Sequence, residues 1–239
     1  MRGFGELVFQ YNGREANNLN SRKTLHFSNE TVWKELGKLS NGDLSPSRVR
    51  YGPESESMYH AMSAHRPGLR GMSIGSISPW LESLAVHFGA RNLTIAEYQP
   101  IKATADFLQA AHPLHVAHHW ADYGGLDFVA SFSSIEHAGL GRYGDLLDPF
   151  GDLQEAHKCW CLLRPGGLLY LGLPYGPKDI TVFNLHRIYG PARTALMSAG
   201  FKILGIYLKQ SNASTSFAQL LASAPSYGFH QAVIVLKKH

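Results

Sequence analysis

Between Ser133 and Asp152 the chain reads SSIEHAGLGRYGDLLDPFGD, which gathers Glu136, His137, Arg142, Tyr143, Asp145, Asp148 and Asp152 within seventeen positions. An imidazole beside a carboxylate suits proton transfer near neutral pH, because an ordinary imidazole titrates close to that pH. His137 is therefore a candidate general base, with Glu136 to orient it. Arg142 and Tyr143 stand in a glycine-flanked loop and suit a carboxylate, phosphate or sugar on a substrate; a salt bridge from Arg142 to Asp145 or Asp148 would instead make the loop a braced surface feature. Further on, FNLHRIYG places Asn184, His186, Arg187 and Tyr189 after Pro174 and Tyr175. His186 competes with His137 as base, and Arg187 is a second candidate for holding substrate.

Asp145, Asp148, Asp152 and His186 could together hold a divalent cation, as oxygen-rich sets with one imidazole do, but nothing in their spacing demands it and no metal is assigned. The other histidine cluster, His112, His115, His118 and His119, has no cysteine near it. It reads as the polar edge of a helix and a short strand rather than as a zinc site.

A third feature lies upstream. From Leu69 to Glu97 the sequence LRGMSIGSISPWLESLAVHFGARNLTIAE reads as strand, tight turn, helix, strand, with an acid at the tip of the second strand. In an open parallel sheet such a unit forms half of a nucleotide crevice: the turn's amides and the helix N-terminus face the ligand, and the acid accepts from its ribose hydroxyls.

These groups need a scaffold, and the chain supplies an alternation. Strands are expected at Leu69–Ile74, Leu93–Tyr98, near Leu114–Ala117, and at Leu126–Phe132, Leu168–Leu173, Phe201–Leu208 and Ala232–Leu236. Helices are expected at Pro79–Phe88, Lys102–Ala111, Asp152–Leu163 and Pro191–Ala199. Helices of about ten residues between strands call for parallel pairing with helices on both faces. The last two strands have no helix expected between them, only the polar stretch from Gln210 to Gly228, so the final strand can enter as an antiparallel partner. Residues 1–65 show no sustained period beyond one short helix capped near Ser28 and carrying Val32, Trp33, Leu36 and Leu39; they read as an extension, a lid or wrapping arm, ahead of a domain over 66–239.

At 239 residues, 44% hydrophobic and 17% charged, the chain suits one large globular domain and excludes wholesale disorder or a rod. The net charge of +4 comes from scattered Lys and Arg, which argues against a nucleic-acid partner, since a phosphate-binding face needs clustered cations. Cys159 and Cys161, two apart in an expected helix, cannot bridge easily. They read as reduced thiols and, with no signal-like or membrane-spanning run, lead to an expected cytoplasmic setting. The sequons at Asn29, Asn92 and Asn212 carry little weight there.

The order of these marks resembles the class I S-adenosylmethionine-dependent methyltransferases over about Leu69 to Lys237. The marks are the turn at Gly75, Glu97, LDFVASFSSIEH, and LRPGGLLYLGLP. The blocks SSIEHAGLGRYGD and FNLHRIYG resemble, more narrowly, an uncharacterised methyltransferase-like family of unknown function. The resemblance implies an α/β fold, a Rossmann-like seven-stranded mostly parallel sheet with a C-terminal antiparallel hairpin strand and helices on both faces. It implies S-adenosylmethionine held by Gly75, Ser76, Glu97, Asp122 and Ser133, with Asp122 on the adenine side, and methylation of an oxygen or nitrogen of a small polar molecule or glycan. In the superfamily's turn an acid precedes three alternating glycines; here Ser73 takes the acid's place, Ile77 the second glycine's and Pro79 the third's. A branched side chain at Ile77 would obstruct the methionine part unless the loop takes a different path. The competing expectations are a non-catalytic interaction protein on this fold, and an enzyme using another nucleotide or nucleotide sugar in the same crevice.

Overall fold

The computed structural model describes residues 6–9, 23–42, 52–209, 211, 213–223 and 230–239. In chain order the elements are β1 (Glu6–Phe9), β2 (Leu25–Phe27), α1 (Asn29–Ser40), α2 (Glu56–Ala64), β3 (Arg70–Ile74), α3 (Trp80–His87), β4 (Asn92–Ala96), β5 (Ile101–Ala103), β6 (Leu108–Ala111), α4 (Pro113–His118), α5 (Trp120–Tyr123), β7 (Leu126–Phe132), α6 (Gly151–Leu162), β8 (Leu163–Tyr175), β9 (Ile180–Phe183), β10 (His186–Ile188), α7 (Pro191–Met197), β11 (Phe201–Tyr207), α8 (Phe217–Ser223) and β12 (His230–Lys238).

Seven strands form the main sheet in the order β11-β12-β8-β7-β3-β4-β6. Pairing is parallel from β6 through β4, β3 and β7 to β8, and β12 enters antiparallel between β8 and β11. This is the expected Rossmann-like arrangement. From β3 the chain builds outward to β4 and β6, then returns to add β7 and β8 on the other side. The carboxyl ends of β3 and β7 therefore flank the point where ligands bind in open α/β sheets.

Alternation along the central strands sends side chains to two separate cores. Phe128, Ala130 and Phe132 of β7 join Leu81, Leu84, Met58 and Met62 on one face, while Val129 joins Ala156, Cys159, Leu162 and Met197 on the other. Helices α2 and α3 cover the first face, and α6 and α7 the second. The cysteines of α6 are both free thiols, Cys159 buried and Cys161 exposed.

The N-terminal part shares in the first core. Ser28 caps α1 by accepting from the Thr31 amide, and the Thr31 hydroxyl accepts from the Ser28 amide in return. Val32 and Leu36 of α1 and Met58, Ala61 and Met62 of α2 are buried. Beyond the main sheet, β1 pairs with β9 and β2 with β5, both in parallel.

Several expectations are corrected. The helix expected over Lys102–Ala111 is two short strands joined by a turn, because β6 pairs with β4 from Leu93↔Leu108 to Ala96↔Ala111 and β5 pairs with β2. Open backbone donors at a sheet edge outweigh the modest helix propensity of this Ala-rich stretch. The strand expected near Leu114–Ala117 is α4, opened by the His112 ring nitrogen, which accepts from the Leu114 amide at 3.2 Å, and by Pro113 in its first turn. A helix, α8, lies between the last two strands, and Leu220 packs into the second core. Strand β8 begins at Leu163 and runs through Pro165, Gly166 and Gly167. Asn212 lies outside the described residues. No helix among the described residues is long and apolar enough to cross a membrane.

Candidate functional site

The first wall of the crevice is the turn after β3. Gly75 has φ 73°, and a Cβ there would overlap the Ser134 hydroxyl, so the close approach of the β3 and β7 loops requires glycine. The turn rests on a carboxyl that sequence reasoning missed. Glu82, in the first turn of α3, is fully buried and accepts from the Ser73 hydroxyl and, at 3.0 Å, from the Ser76 hydroxyl. Burial pushes its carboxyl up to about 7. Ser73 stands where an acid was expected, and the helix supplies the acid instead. The signal was present: Glu82 interrupts the apolar run WLESLAV, whose neighbours Leu81, Ser83 and Leu84 are also buried. Ile77 is 62% exposed, its side chain turned away from the buried side of the turn.

Glu97 follows β4 directly, half-buried, and accepts from the Gln99 amide at 2.8 Å. Asp122 is not brought near it. It is exposed in α5, and its backbone carbonyl accepts from Arg70 at the opposite, amino edge of the sheet. The expected register had set the third strand at 114–117. The strand in fact ends at Ala111, so the residue at the crevice is His112, whose ring meets Tyr98 edge-on at 5.1 Å.

The second wall follows β7. Ser133 takes φ 50° and its hydroxyl donates to Glu136 at 2.7 Å. Glu136 is 2% exposed, burial pushes it up to about 7, and its second oxygen has no hydrogen-bond partner among the described residues. The His137 Nδ1 donates to the Leu185 carbonyl, which leaves Nε2 as the basic nitrogen, 3.8 Å from the Glu136 carboxyl. The His186 ring lies 6.5 Å from that of His137 and is held neutral down to about 4, by burial first and then by the charges of His137 and Arg142. Arg142 lies over the Tyr143 ring, which meets His137 edge-on at 5.5 Å.

Arg187 is not a surface cation awaiting substrate. It is 1% exposed and donates to the carbonyls of Ala138 and Asp148, pinning both ends of the loop after β7. Asp145 braces the same loop by accepting from the amides of Gly139, Gly141 and Tyr143. Asp152 accepts from Tyr189 and Arg193. The carboxylates and His186 are thus not gathered around one point, and no group of three or more metal-ligating side chains stands together among the described residues. Asn184, at φ 61°, serves the turn between β9 and β10.

Glu136, His137 and His186 share a cavity of about 350 Å³ with Ser133, Pro174 and Gln231. At its mouth Lys209, after β11, donates to Glu54, ahead of α2, at 2.8 Å. The cavity adjoins the turn of Gly75 through Ser133 and Ser134, so the two loops form one continuous edge above β3, β7 and β8.

The family model described as Caenorhabditis protein of unknown function, DUF268, matches residues 68–239. No curated protein matches the chain. Among solved structures, the N-methyltransferase NodS from Bradyrhizobium japonicum WM9, in complex with S-adenosyl-L-homocysteine, is similar at TM-score 0.51 and 14% identity, over 87% of this chain and 98% of that one. The [4+2]-cyclase SpnF is similar at TM-score 0.51 and 11% identity, over 87% and 93%. At these identities the likeness speaks for the fold, which is that of the class I methyltransferases.

Proposed function

From the premise that the chain belongs to the DUF268 family and carries the class I methyltransferase fold, we propose that it is an S-adenosylmethionine-dependent methyltransferase acting on an oxygen or nitrogen of a small polar molecule or glycan. The observation that carries this reading is the juxtaposition of a glycine turn and Glu97 on one side of the crevice with an oriented imidazole on the other. Gly75 and Ser76 line the turn, Glu97 is the acid for the ribose hydroxyls, and Ser133 joins the two walls. The residues fit the group: the turn is free of a Cβ where the backbone bends, its buried carboxyl lies beneath rather than within it, and Ile77 is turned outward. S-adenosylmethionine, when bound, supplies a sulfonium-activated methyl group that passes to the acceptor, the electron pair of the broken carbon–sulfur bond staying on sulfur.

The chain's own residues do the rest. Leu185 fixes the His137 tautomer, so Nε2 can take the acceptor's proton. His186, held neutral, adds no competing charge. Arg187 and Asp145 keep the loop in one conformation, which preserves the alignment that displacement chemistry needs.

Calorimetry with S-adenosylmethionine and S-adenosylhomocysteine tests the reading. Binding is expected, and Glu97→Ala should weaken it by roughly 1.5 to 3 kcal/mol, the worth of a charge-assisted hydrogen bond. Absence of binding by both compounds at millimolar concentration would overturn it.

A further inference from the structure

Resting on that reading of the crevice, we propose that the cavity beyond β7 and β8 receives a neutral, hydroxyl-rich acceptor, a sugar or similar polyol, and that the methylated atom is one of its oxygens.

An anionic acceptor needs a cation to meet it. Lys209, the one Lys or Arg among the described residues lining the cavity, is already paired with Glu54 at 2.8 Å, and that pairing holds Glu54 below the usual carboxylate range. Arg187 is committed to backbone carbonyls behind the wall. A protonated amine needs an ionised carboxylate, yet Glu54 is spent on Lys209 and Glu136 is pushed up to about 7 by burial. Burial drives His186 down to about 4 as it pushes Glu136 up, so desolvation disfavours charge of either sign there, with Arg142 adding to the first effect and opposing the second. A flat aromatic acceptor would seek ring walls, and no Phe, Tyr or Trp is among the described residues lining the cavity.

What the walls do offer is a mixture of hydrogen-bond donors and acceptors: imidazoles from His137, His186 and His230, the Ser133 hydroxyl, the Glu136 carboxyl and the Gln231 amide. Two of these carry buried atoms without a hydrogen-bond partner among the described residues, one oxygen of Glu136 and the amide nitrogen of Gln231. Orphaned groups of this kind are costly and uncommon in native structures, and turning either terminal group toward the cavity would let a ligand hydroxyl satisfy it. A hydroxyl both donates and accepts, so each ring position of a polyol can answer one of each. The cavity volume is at the small end of ligand pockets, which suits a single sugar unit or the end of a chain. An oxygen nucleophile also needs its proton removed, and the His137 tautomer is set for that.

The test is saturation-transfer NMR on the full chain, with and without S-adenosylhomocysteine. The probes are methyl glycosides of neutral sugars and inositol, set against hexuronates, hexose phosphates, hexosamines and catechol. Neutral compounds should bind at least about tenfold more tightly than charged or aromatic ones, a difference of about 1.4 kcal/mol. Gln231→Leu should weaken them by a similar factor. Glu54→Gln, at the mouth and away from the core, releases Lys209 and should bring hexuronate binding up to the level of the neutral glycosides. Equal or tighter binding of the charged or aromatic probes by the native chain would overturn the proposal. So would failure of every neutral probe at millimolar concentration while S-adenosylhomocysteine binds. Neutral probes binding where S-adenosylhomocysteine does not would uphold this site and sink the methyltransferase reading alone.

Discussion

The Ser73 hydroxyl of β3 donates to the Glu82 carboxyl of α3, and through Ser76 the same carboxyl holds the turn that opens the crevice. The pairing inverts the expected arrangement, in which the strand carries the acid. It also ties the helix to the turn from inside the core, where each hydrogen bond is worth more than at the surface and an unmade one costs more.

Replacing Glu82 by alanine should therefore leave the buried Ser73 hydroxyl without an acceptor, while the Ser76 hydroxyl keeps the Ser78 carbonyl at 2.9 Å. For one such group the protein should lose about 1 to 3 kcal/mol of stability, read by urea denaturation. Glu82→Gln should cost less, because the amide oxygen still accepts from one serine. A Glu82→Ala protein as stable as the native one would show that the turn does not depend on this carboxyl.

Stability should fall as pH rises toward neutrality. Glu82 and Glu136 ionise near 4.5 in an unfolded chain and near 7 when folded. Their contribution is complete below about 4.5 and is lost as pH rises through about 7, by roughly 3 kcal/mol each. His186 acts in the opposite sense: folded, it stays neutral to about 4, so its contribution is present above 6.5 and lost as pH falls toward 4. Denaturation curves across this range should show a smaller loss toward neutral pH in Glu136→Gln, with the acid-side loss unchanged.

Arg187→Met should destabilise by about 1 to 3 kcal/mol, since the buried carbonyl of Ala138 loses its donor, while Asp152 keeps Tyr189 and Arg193 and the Asp148 carbonyl keeps the Gly151 amide. Hydrogen exchange should quicken first at the amides of Gly139, Gly141 and Tyr143, which the loop presents to Asp145. Were Arg187 a substrate ligand instead, the variant would keep native stability.

His137→Gln should leave S-adenosylhomocysteine binding within about twofold and lower methyl transfer by roughly 100- to 10,000-fold, the range for loss of a general base. His186→Gln should lower it far less. The reverse ranking, measured with any acceptor that the binding screen identifies, would transfer the role of base to His186.

Much of the fold was legible because local rules and tertiary demands agreed. The run Leu126–Phe132 could only be a strand buried on both faces, and the Pro and Gly punctuation around α3 and α7 marked those helices. Where the two disagreed, reading failed. Ala-rich residues 102–111 obey the sheet edge rather than their propensity, and that one misplacement set the third strand at 114–117 and put Asp122 after it, where the strand in fact ends at Ala111.

The sequence by itself determined which chemistry was on offer: a glycine where a backbone must bend, an acid closing a strand, and an imidazole beside a carboxyl after β7. Only the tertiary structure decided how those groups are used. Glu82 reaches back to a residue nine positions earlier, Arg187 turns inward to carbonyls, and Glu54, Lys209 and Gln231 meet at one cavity from distant parts of the chain. Residue type sets what a side chain can donate, accept or ionise. Burial and neighbours, which depend on how β12 enters between β8 and β11, set whether it does.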